Sequence, residues 1–364
     1  MTIRTIVVFI LVGLAFATLA LYKAHHAAPH VTYVKNSWCN DPGMIDLGPS
    51  RTGYVDVRGI TSNGDEIVGN FHDDKFGPNH IFLWDRQSGW QDLETLGLSN
   101  AIAAGITEPD RSIVGQFTGT DGTLHLFRWT SREGAVEMGV VPIERFSVTS
   151  VAQDGATLSG RSTDANQRVH SHHWSRSDGF VTLDSASGAI LEETASSRDG
   201  RVIAGDLEIP GKAEHLFVWT ARSGVHDLGT APGRVAKVTG VSADGSTLAG
   251  SLLDSDDVSH AFRWSTAHGF ENLGTVAGRS TGIASVSADG SVMVGSFHDA
   301  ARRIHVLDWR QESGFSDLGT MGGKSAWARL VSGDGQTLVG SFRDQEGSDH
   351  LFLCALHAAG QIRN

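Results

Sequence analysis

The sequence has few of the residues that mark several common classes of protein. Among 364 residues it contains only 2 cysteines and 8 prolines, and 19% of its residues are charged. Two cysteines cannot form a zinc ligand set and allow at most one disulfide. The formal net charge is −12, and no basic run is longer than the pair Arg302-Arg303. Because nucleic-acid binding needs a concentrated basic face, the sequence disfavours DNA and RNA as partners.

Glycine and tryptophan, by contrast, are abundant. The chain has 44 glycines and 9 tryptophans but only 3 tyrosines, and 40% of its residues are hydrophobic. This composition indicates a folded chain rich in turns, and it excludes a disordered, collagen-like or coiled-coil protein. The length alone would favour two or three domains.

Long apolar runs are also rare, since the only one lies at the N-terminus, over residues 5–22 between Arg4 and Lys23. A charged start, an apolar stretch and the small-residue site Ala15-Phe16-Ala17 fit a cleaved signal peptide. The run is also long enough to span a bilayer as a hydrophobic helix and to tether the protein. We therefore assign residues 1–24 to a signal peptide or membrane anchor. Both alternatives place the remainder outside the cytoplasm, whether secreted, periplasmic or anchored and facing outward.

A repeat of 45 residues covers the rest of the chain. Tryptophan recurs in one register, at Trp38, Trp84, Trp129, Trp174, Trp219, Trp264 and Trp309. Histidine precedes six of these tryptophans by four residues, and a seventh histidine keeps the spacing, giving His80, His125, His170, His215, His260, His305 and His350. A glycine follows each tryptophan by five residues. A second glycine series precedes the histidines, at Gly69, Gly115, Gly160, Gly205, Gly250, Gly295 and Gly340. Such self-similarity is typical of repeat architectures.

Residues 234–278 show what one repeat contains. Short β-type runs at 238–242, 247–252, 260–264 and 270–273 are separated by turns, of which the first is Asp244-Gly245. In the third run, period-2 alternation predicts one buried face, with Ala261 and Arg263 on the other. Four short antiparallel strands in each of seven repeats predict an all-β, seven-bladed β-propeller over residues 25–364. A parallel β-helix is the weaker alternative, because it does not need hairpins inside each unit.

The register of the repeat predicts how the ring closes. Residues 38–48 match the second half of a repeat, and the C-terminus supplies a first half that ends at Cys354. Joining them in one blade lets an N-terminal strand close the ring without an unpaired edge. Cys39 and Cys354 then come close together. They either form a disulfide, which an exported protein can oxidise, or remain a free thiol and a buried core residue.

The repeat resembles a known bacterial family. The stretches His260-Ala261-Phe262-Arg263-Trp264 and Gly269-Phe270-Glu271-Asn272-Leu273-Gly274 are similar to the extracellular repeat named for its His-Ala-Phe motif, the HAF family. The third repeat departs from the pattern, since it reads His170-Ser171-His172-His173-Trp174. The resemblance implies an exported bacterial repeat protein, and it brings no activity or catalytic residues with it.

The repeated residues favour structural roles. Histidines on the third strands of different blades stay too far apart to share a metal ion, so we predict no metal site and no cofactor. Five blades instead carry an aspartate that is expected to bond the histidine of the same blade, namely Asp73, Asp164, Asp254, Asp299 and Asp344. The phased tryptophans are interpreted as blade core. Trp90 and Trp327 lie outside the repeat register, so their rings are better suited to stack on sugar rings.

Three basic residues form the candidate ligand site. Arg234, Arg279 and Lys324 stand in phase in three consecutive connections between blades, where they can converge near the axis. Acidic residues surround them, at Asp73, Asp74, Asp254, Asp256 and Asp257. A basic arc inside an acidic rim is suited to a carboxylate, a sulfate or an acidic sugar. Ordinary solvated turn residues are the alternative.

The sequence therefore favours a monomeric, non-enzymatic binding propeller whose ligand is an anionic compound, a carbohydrate or a protein. The alternative is an extracytoplasmic carbohydrate-active enzyme, a glycosidase or lyase. Such an enzyme would need paired carboxylates in the opening at the propeller axis. No catalytic pair stands out in the sequence. A structural partner in a surface assembly is a third hypothesis.

Overall fold

In the computed structural model of the chain, the described residues are 32–34, 44–49, 55–72, 78–94, 96–108, 110–183, 190–209, 214–230 and 235–356. They form β-strands joined by turns and contain no helix. Accordingly, none of the described part could cross a membrane as a helix. The apolar segment 5–22 lies outside the described residues, as do Trp38 and Cys39.

The strands follow one another at regular spacing. They are β1 (Thr32–Val34), β2 (Met44–Pro49), β3 (Val55–Ile60), β4 (Glu66–His72), β5 (Asn79–Asp85), β6 (Gly89–Asp92), β7 (Ile102–Ile106), β8 (Ile113–Thr118), β9 (Leu124–Thr130), β10 (Gly134–Val141), β11 (Ser147–Val151), β12 (Thr157–Thr163), β13 (Val169–Ser175), β14 (Gly179–Leu183), β15 (Ile190–Ser196), β16 (Val202–Glu208), β17 (His215–Thr220), β18 (Gly224–Thr230), β19 (Val235–Val241), β20 (Thr247–Leu253), β21 (Ser259–Ser265), β22 (Gly269–Gly274), β23 (Thr281–Val286), β24 (Val292–His298), β25 (Ile304–Arg310), β26 (Gly314–Gly319), β27 (Ser325–Val331), β28 (Thr337–Arg343) and β29 (Asp349–Ala355).

These strands build seven antiparallel sheets. Six sheets contain four consecutive strands each, from β3–β6 (blade 1) through β23–β26 (blade 6). The seventh has the order β1-β2-β29-β28-β27 (blade 7). The first strand of each blade contacts the first strand of the next, and β27 of blade 7 contacts β3 of blade 1. The predicted seven-bladed propeller of four-stranded blades is thereby confirmed, and β1 adds a fifth strand to blade 7.

The prediction of a single buried face for the third strand of the unit 234–278 is wrong. In β21, Ala261 and Phe262 point to opposite faces, and both are 0% exposed. Phe262 belongs to the apolar cluster shared with the strands of blade 4, whereas Ala261 packs in a cluster with Ile283 of blade 6. Blade 5 thus packs between blades 4 and 6, and both faces of β21 exclude water at Ala261 and Phe262.

The second glycine series marks a point where strands approach closely. A Cβ atom at Gly250 would collide with the carbonyl oxygen of Lys237 on the first strand of its blade, and it would press on the ring of Phe262 at 2.8 Å. A side chain is therefore excluded between these strands. The neighbouring Asp-Gly turn has a different requirement, because Gly245 has a φ of 71°, which disfavours other residues.

The aromatic residues in register occupy the spaces between blades. Phe82, Phe127, Phe217, Phe262 and Phe352 are 0% exposed. Four of the phased tryptophans, Trp84, Trp174, Trp219 and Trp309, are also buried. Large rings at one level of every blade fill the wedge-shaped gaps that radial packing creates.

Candidate functional site

The phased histidines are held inside their own blades. Five have a carboxylate on the last strand of the same blade near Nδ1, at 3.1 Å for His80–Asp92, 2.8 Å for His125–Glu137, 2.8 Å for His215–Asp227, 2.9 Å for His305–Asp317 and 3.0 Å for His350–Asp46. These partners were not predicted from the sequence. The signal was available, because the acidic residue follows its histidine by twelve positions wherever the two are joined by a hairpin.

The aspartates expected to contact the histidines lie where they were predicted in four blades. Nε2 is near the carboxylate in His170–Asp164 at 3.4 Å, His260–Asp254 at 2.8 Å, His305–Asp299 at 3.3 Å and His350–Asp344 at 3.1 Å. Asp73 lies outside the described residues. The Val258 amide and the His260 ring both lower the pKa of Asp254. Within the described ranges, no three His, Cys, Asp or Glu side chains are grouped so that they could hold a metal ion.

A collar of turn residues surrounds the propeller axis. It consists of the residue before the Asp, Asn or Pro in each turn that joins the first two strands of a blade, namely Ser62, Glu108, Gln153, Arg198, Ala243, Ala288 and Gly333. Backbone N–H groups donate from blade to blade around this collar, from Glu108 to Gln153 at 2.6 Å, from Gln153 to Arg198 at 2.7 Å, from Ala243 to Ala288 at 2.7 Å and from Ala288 to Gly333 at 2.9 Å. These bonds join successive blades at one end of the axis.

Polar side chains cluster on one side of the collar. The carboxylate of Glu108 accepts hydrogen bonds from the backbone N–H and the hydroxyl of Ser62, the latter at 2.7 Å, and from the amide of Gln153. Gln153 Nε2 also lies 3.0 Å from Ser62 Oγ. Three neighbouring blades therefore share one carboxylate, whose charge is held by neutral donors.

Arg198 reaches across the collar toward the side that has small residues. A Cβ atom on Gly333, three blades away, would collide with its guanidinium group. Nη2 of Arg198 lies 3.8 Å from Glu108 Oε1. Burial lowers the pKa of Arg198, while the charges of Glu108 and Asp334 oppose that shift. The cation thus lies over the axis because blades 5 to 7 contribute only Ala243, Ala288 and Gly333 to the collar.

A cavity of about 320 Å³ lies on the axis beside Arg198, and the first strands of all seven blades line it. The charged groups in its wall are Arg58, Glu108 and Arg198. Hydroxyl groups from blades 3 to 6 form much of the remaining wall, at Thr149, Ser150, Ser196, Ser197, Thr239 and Ser285. A volume near the small end of the ordinary range for ligand sites and a polar lining suit a compact, hydroxylated ligand.

Each first strand carries a β-bulge at the same repeat position. The extra residue is Arg58, Ala104, Thr149, Thr194, Thr239, Ala284 or Arg329. Bulges re-aim a side chain out of the regular pleat. Arg58 and Arg329 are both exposed and belong to the adjacent blades 1 and 7. Nε of Arg58 lies 2.6 Å from Asp56, whereas Arg329 forms no ion pair within the described part of the chain.

The predicted basic arc lies apart from this cavity. Arg279 and Lys324 are exposed, and they lie two residues and one residue, respectively, before the first strands of blades 6 and 7. Neither lines the cavity, and neither forms an ion pair with another described residue. Arg234 lies outside the described residues. The structure thus places two of the three arc residues at corresponding connections between blades.

Trp327 lies on β27 between Lys324 and Arg329. It is half-buried and belongs to none of the apolar clusters between the described parts of the blades. The guanidinium of Arg343 lies 6.0 Å from the centre of its ring, and Asp349 holds that guanidinium with contacts of 2.8 and 2.9 Å. At this repeat position the other blades have Asp56, Ile102, Ser147, Glu192, Lys237 and Gly282. The indole is therefore peculiar to blade 7.

Cys354 occupies the position at which earlier repeats have tryptophan. It lies in β29 opposite Met44 of β2 and is 0% exposed. Its predicted partner Cys39 lies outside the described residues. Their pairing therefore stays a prediction.

The architecture is similar to that of several solved propellers. An oligogalacturonate lyase in complex with manganese has a TM-score of 0.62 at 15% identity, over 91% of this chain and 97% of its own. The β-propeller domain of the Trilobed protease from Pyrococcus furiosus gives 0.59 at 9% identity, over 83% and 95%. An oligogalacturonate lyase from Vibrio parahaemolyticus gives 0.57 at 12%, over 88% and 96%.

At these identities the likeness concerns the fold. The chain is a β-propeller. No family model matches the sequence, and no curated protein is significantly similar to it.

Proposed function

We propose that this propeller is an exported, non-enzymatic binding protein, and that it holds an anionic carbohydrate at the connections between blades 5, 6 and 7. The observation that carries the proposal is a set of three side chains immediately before and within β27. Lys324 and Arg329 are exposed cations with no ion pair in the described residues, and they flank the half-buried indole of Trp327.

The chemistry of these groups matches that of an acidic sugar. An indole offers an apolar face to the C–H groups of a sugar ring, while free ammonium and guanidinium groups attract carboxylate or sulfate. Arg279, and Arg234 in the connection before it, extend the positive charge around the axis. On a chain with a net charge of −12, such a patch would draw anions to one place.

Export is proposed from the N-terminal apolar segment alone. Residues 5–22 would act as a cleaved signal or as a membrane tether, and either would place the propeller outside the cytoplasm. The HAF-type repeat is proposed from the His-Ala-Phe pattern around His260. A monomeric state is proposed together with these assignments.

Closure of the ring by the N-terminal strand is a further part of the proposal. β2 pairs with β29 in antiparallel register, with Met44 opposite Cys354 and Asp46 opposite Phe352. This pairing would supply blade 7 with the outer strand that the C-terminal half-repeat lacks. A ring closed in this way has no unpaired strand edge in blade 7. The binding residues of blades 6 and 7 would therefore keep their positions relative to one another.

The enzymatic alternative lacks a suitable acid. Asp206 has a pKa raised by burial to about 7, but it is 3% exposed and does not line the axial cavity. A general acid must reach its substrate. Catalysis is therefore not proposed, and cleavage of the oligosaccharide is one outcome that the binding experiment distinguishes.

The test is a binding screen on the mature chain with neutral glycans, uronate and sulfate oligosaccharides and peptidoglycan fragments. We expect binding of an acidic oligosaccharide that weakens with salt. Reversing both charges in a K324E/R329E variant should weaken it by roughly tenfold or more, and Trp327→Ala should weaken it independently. Arg176→Glu, in an exposed hairpin of blade 3, is the matched control.

Two results would overturn the proposal. One is equal binding of neutral and acidic glycans by the wild type. The other is unchanged affinity in the K324E/R329E variant when its unfolding curve matches that of the wild type. Release of shortened oligosaccharides during the assay would instead establish the carbohydrate-active enzyme.

A further inference from the structure

We propose that the axial cavity is a second, separate binding site that takes the carboxylate of a single sugar acid through the guanidinium of Arg198. This site lies at the collar and uses none of the residues assigned to the carbohydrate site on β27. A negative result for one of the two sites therefore does not contradict the proposal for the other.

The described residues around Arg198 provide no hydrogen-bond acceptor for its guanidinium group. Its guanidinium carries five N–H donors, yet none of them makes a hydrogen bond to any residue in the described ranges. The nearest carboxylate oxygen, Oε1 of Glu108, is 3.8 Å from Nη2, which is beyond hydrogen-bond distance. The side chain is only 25% exposed. A cation that serves only to close the collar would be expected to donate to the surrounding carbonyl oxygens.

The nearby carboxylate does not occupy the place of a ligand. Glu108 already accepts hydrogen bonds from the Ser62 backbone, the Ser62 hydroxyl and the Gln153 amide. These donors hold it on the side of blades 1 to 3. The donors of Arg198 are thus left for another oxyanion, and a planar carboxylate matches the geometry of a guanidinium.

The remainder of the cavity favours a hydroxylated body for the ligand. Ser150 and Ser196 lie with their hydroxyl oxygens 2.5 Å apart. The hydroxyl of Ser285 accepts from Val331 N at 3.3 Å, which leaves its own proton for a further acceptor. Because hydroxyl groups both donate and accept, this wall is suited to the hydroxyls of a sugar.

The size of the cavity limits the ligand to a monomer. About 320 Å³ lies near the lower end of the range for small-molecule sites. A uronic acid or another sugar acid of one ring provides one carboxylate for Arg198 and several hydroxyls for the serine and threonine wall. A longer oligosaccharide belongs to the carbohydrate site on β27.

The experiment is calorimetric titration of the full mature chain with D-glucuronate, with D-glucose as the uncharged probe. We expect saturable binding of glucuronate and none of glucose. Arg198→Gln should weaken binding roughly ten- to hundredfold, since it removes a charged, two-fold hydrogen bond. Gly333→Ala should also weaken binding, because the added methyl displaces the guanidinium without changing any charge.

Two control variants distinguish binding at Arg198 from binding elsewhere on the propeller. Arg222→Gln removes an exposed arginine from the same blade and should bind glucuronate as the wild type does. The K324E/R329E variant should also retain glucuronate binding, and its failure to bind oligosaccharide would then concern the other site alone. Unfolding curves of all variants establish that the propeller is intact.

The proposal is overturned if the folded wild type shows no saturable binding at glucuronate concentrations on the order of 10 mM. It is equally overturned if glucose binds as well as glucuronate, or if Arg198→Gln and the wild type bind with the same affinity. In those cases Arg198 serves only to cover the axis at the collar.

Discussion

Oδ1 of Asp206 accepts a hydrogen bond of 3.2 Å from the backbone N–H of Val238, which joins the second strand of blade 4 to the first strand of blade 5. Uncharged side chains accept the corresponding bond elsewhere, in Ala103–Asn70, Val148–Gln116 and Ala328–Ser296. Asp206 is 3% exposed, and in the described structure its Oδ2 has no hydrogen-bond partner. A buried carboxyl thus stands where these other blades use a neutral group.

The surroundings of Asp206 favour its protonated form. Burial raises its pKa from 3.8 to about 7; the Val238 amide and Lys237 act in the opposite direction, and Glu214 and Glu192 add to the rise. Because the pKa is higher in the folded than in the unfolded chain, the folded state binds a proton that the unfolded state releases. The free energy of unfolding therefore falls as the pH rises from about 4 to about 7, and it levels off above that range.

We expect Asp206→Asn to remove this pH dependence. The amide oxygen can still accept from Val238, and no charge appears in the interface at neutral pH. The variant should be more stable than the wild type by an amount on the order of 1–4 kcal/mol near pH 8, and the difference should vanish near pH 4. Urea unfolding at several pH values across this range measures it.

Two further variants act as controls for that result. Asp206→Ser introduces the residue that Ser251, Ser296 and Ser341 supply at the same repeat position, so it should also flatten the pH profile. Asp308→Asn removes a second buried carboxyl whose pKa is also raised by burial and which lies 3.1 Å from Arg310, and it should leave unchanged the part of the pH profile that Asp206 produces. Parallel profiles for the wild type and Asp206→Asn from about pH 5 to about pH 8 would contradict the prediction.

Much of the fold could be predicted from the repeat alone. In the unit 234–278 the expected strands at 238–242, 247–252, 260–264 and 270–273 correspond to β19, β20, β21 and β22, whose bounds differ by at most three residues. Short-range chemistry explains this success. Alternating apolar residues and Asp-Gly turns act within a few residues of each other, so their pattern determines hairpins directly.

The candidate site was much less predictable. The meeting of Arg198 with Gly333 depends on two turns that lie on opposite sides of the axis and far apart in sequence. The bulges that turn out Arg58 and Arg329 depend on how the first and second strands pair, which periodicity does not encode. Burial on both faces of β21 was missed because it depends on neighbouring blades and not on the strand itself.

The close approach at Gly250 predicts a costly substitution. In Gly250→Ala the new methyl group would collide with the Lys237 carbonyl and the Phe262 ring, so the first and second strands of blade 5 would have to separate. We expect a loss of roughly 2–4 kcal/mol in the free energy of unfolding, as is typical of overpacked buried sites. Chemical denaturation of the purified variant measures this loss.

Gly282→Ala provides the comparison, because its added methyl meets only the Ser251 hydroxyl, at 3.2 Å, and its backbone needs no positive φ. It should change the stability by less than about 1 kcal/mol. If the two alanine variants were equally stable, the second glycine series would have to be explained by something other than strand spacing.

The bond between Asp46 and His350 tests closure of the ring. Asp46 on β2 lies 3.0 Å from His350 Nδ1 and accepts from Gly48 N at 2.8 Å. Asp317 makes the same two contacts in blade 6, with His305 at 2.9 Å and with Gly319 N at 2.8 Å. The two sites therefore have the same chemistry and differ in connectivity, because a hairpin joins β26 to β25 whereas no turn joins β2 to β29.

We expect Asp46→Ala to have the larger effect for that reason. Removing either carboxylate should cost about 1–3 kcal/mol through the unpaired donors that remain. In blade 6 the hairpin keeps the strand close and allows it to re-pair, whereas β2 can leave the sheet and open the ring. Limited proteolysis under reducing conditions should then cut the N-terminal strand of Asp46→Ala much faster than any site in Asp317→Ala.

A reducing agent should increase the difference in proteolysis rate between Asp46→Ala and Asp317→Ala. If Cys39 is bridged to Cys354, the bridge holds β2 in place, so Asp46→Ala resists proteolysis under oxidising conditions and becomes sensitive once reduced. The reduced Asp317→Ala variant should remain resistant, because no disulfide replaces its hairpin. Equal cleavage rates for the two reduced variants would mean that pairing of β2 with β29 does not close the propeller in solution.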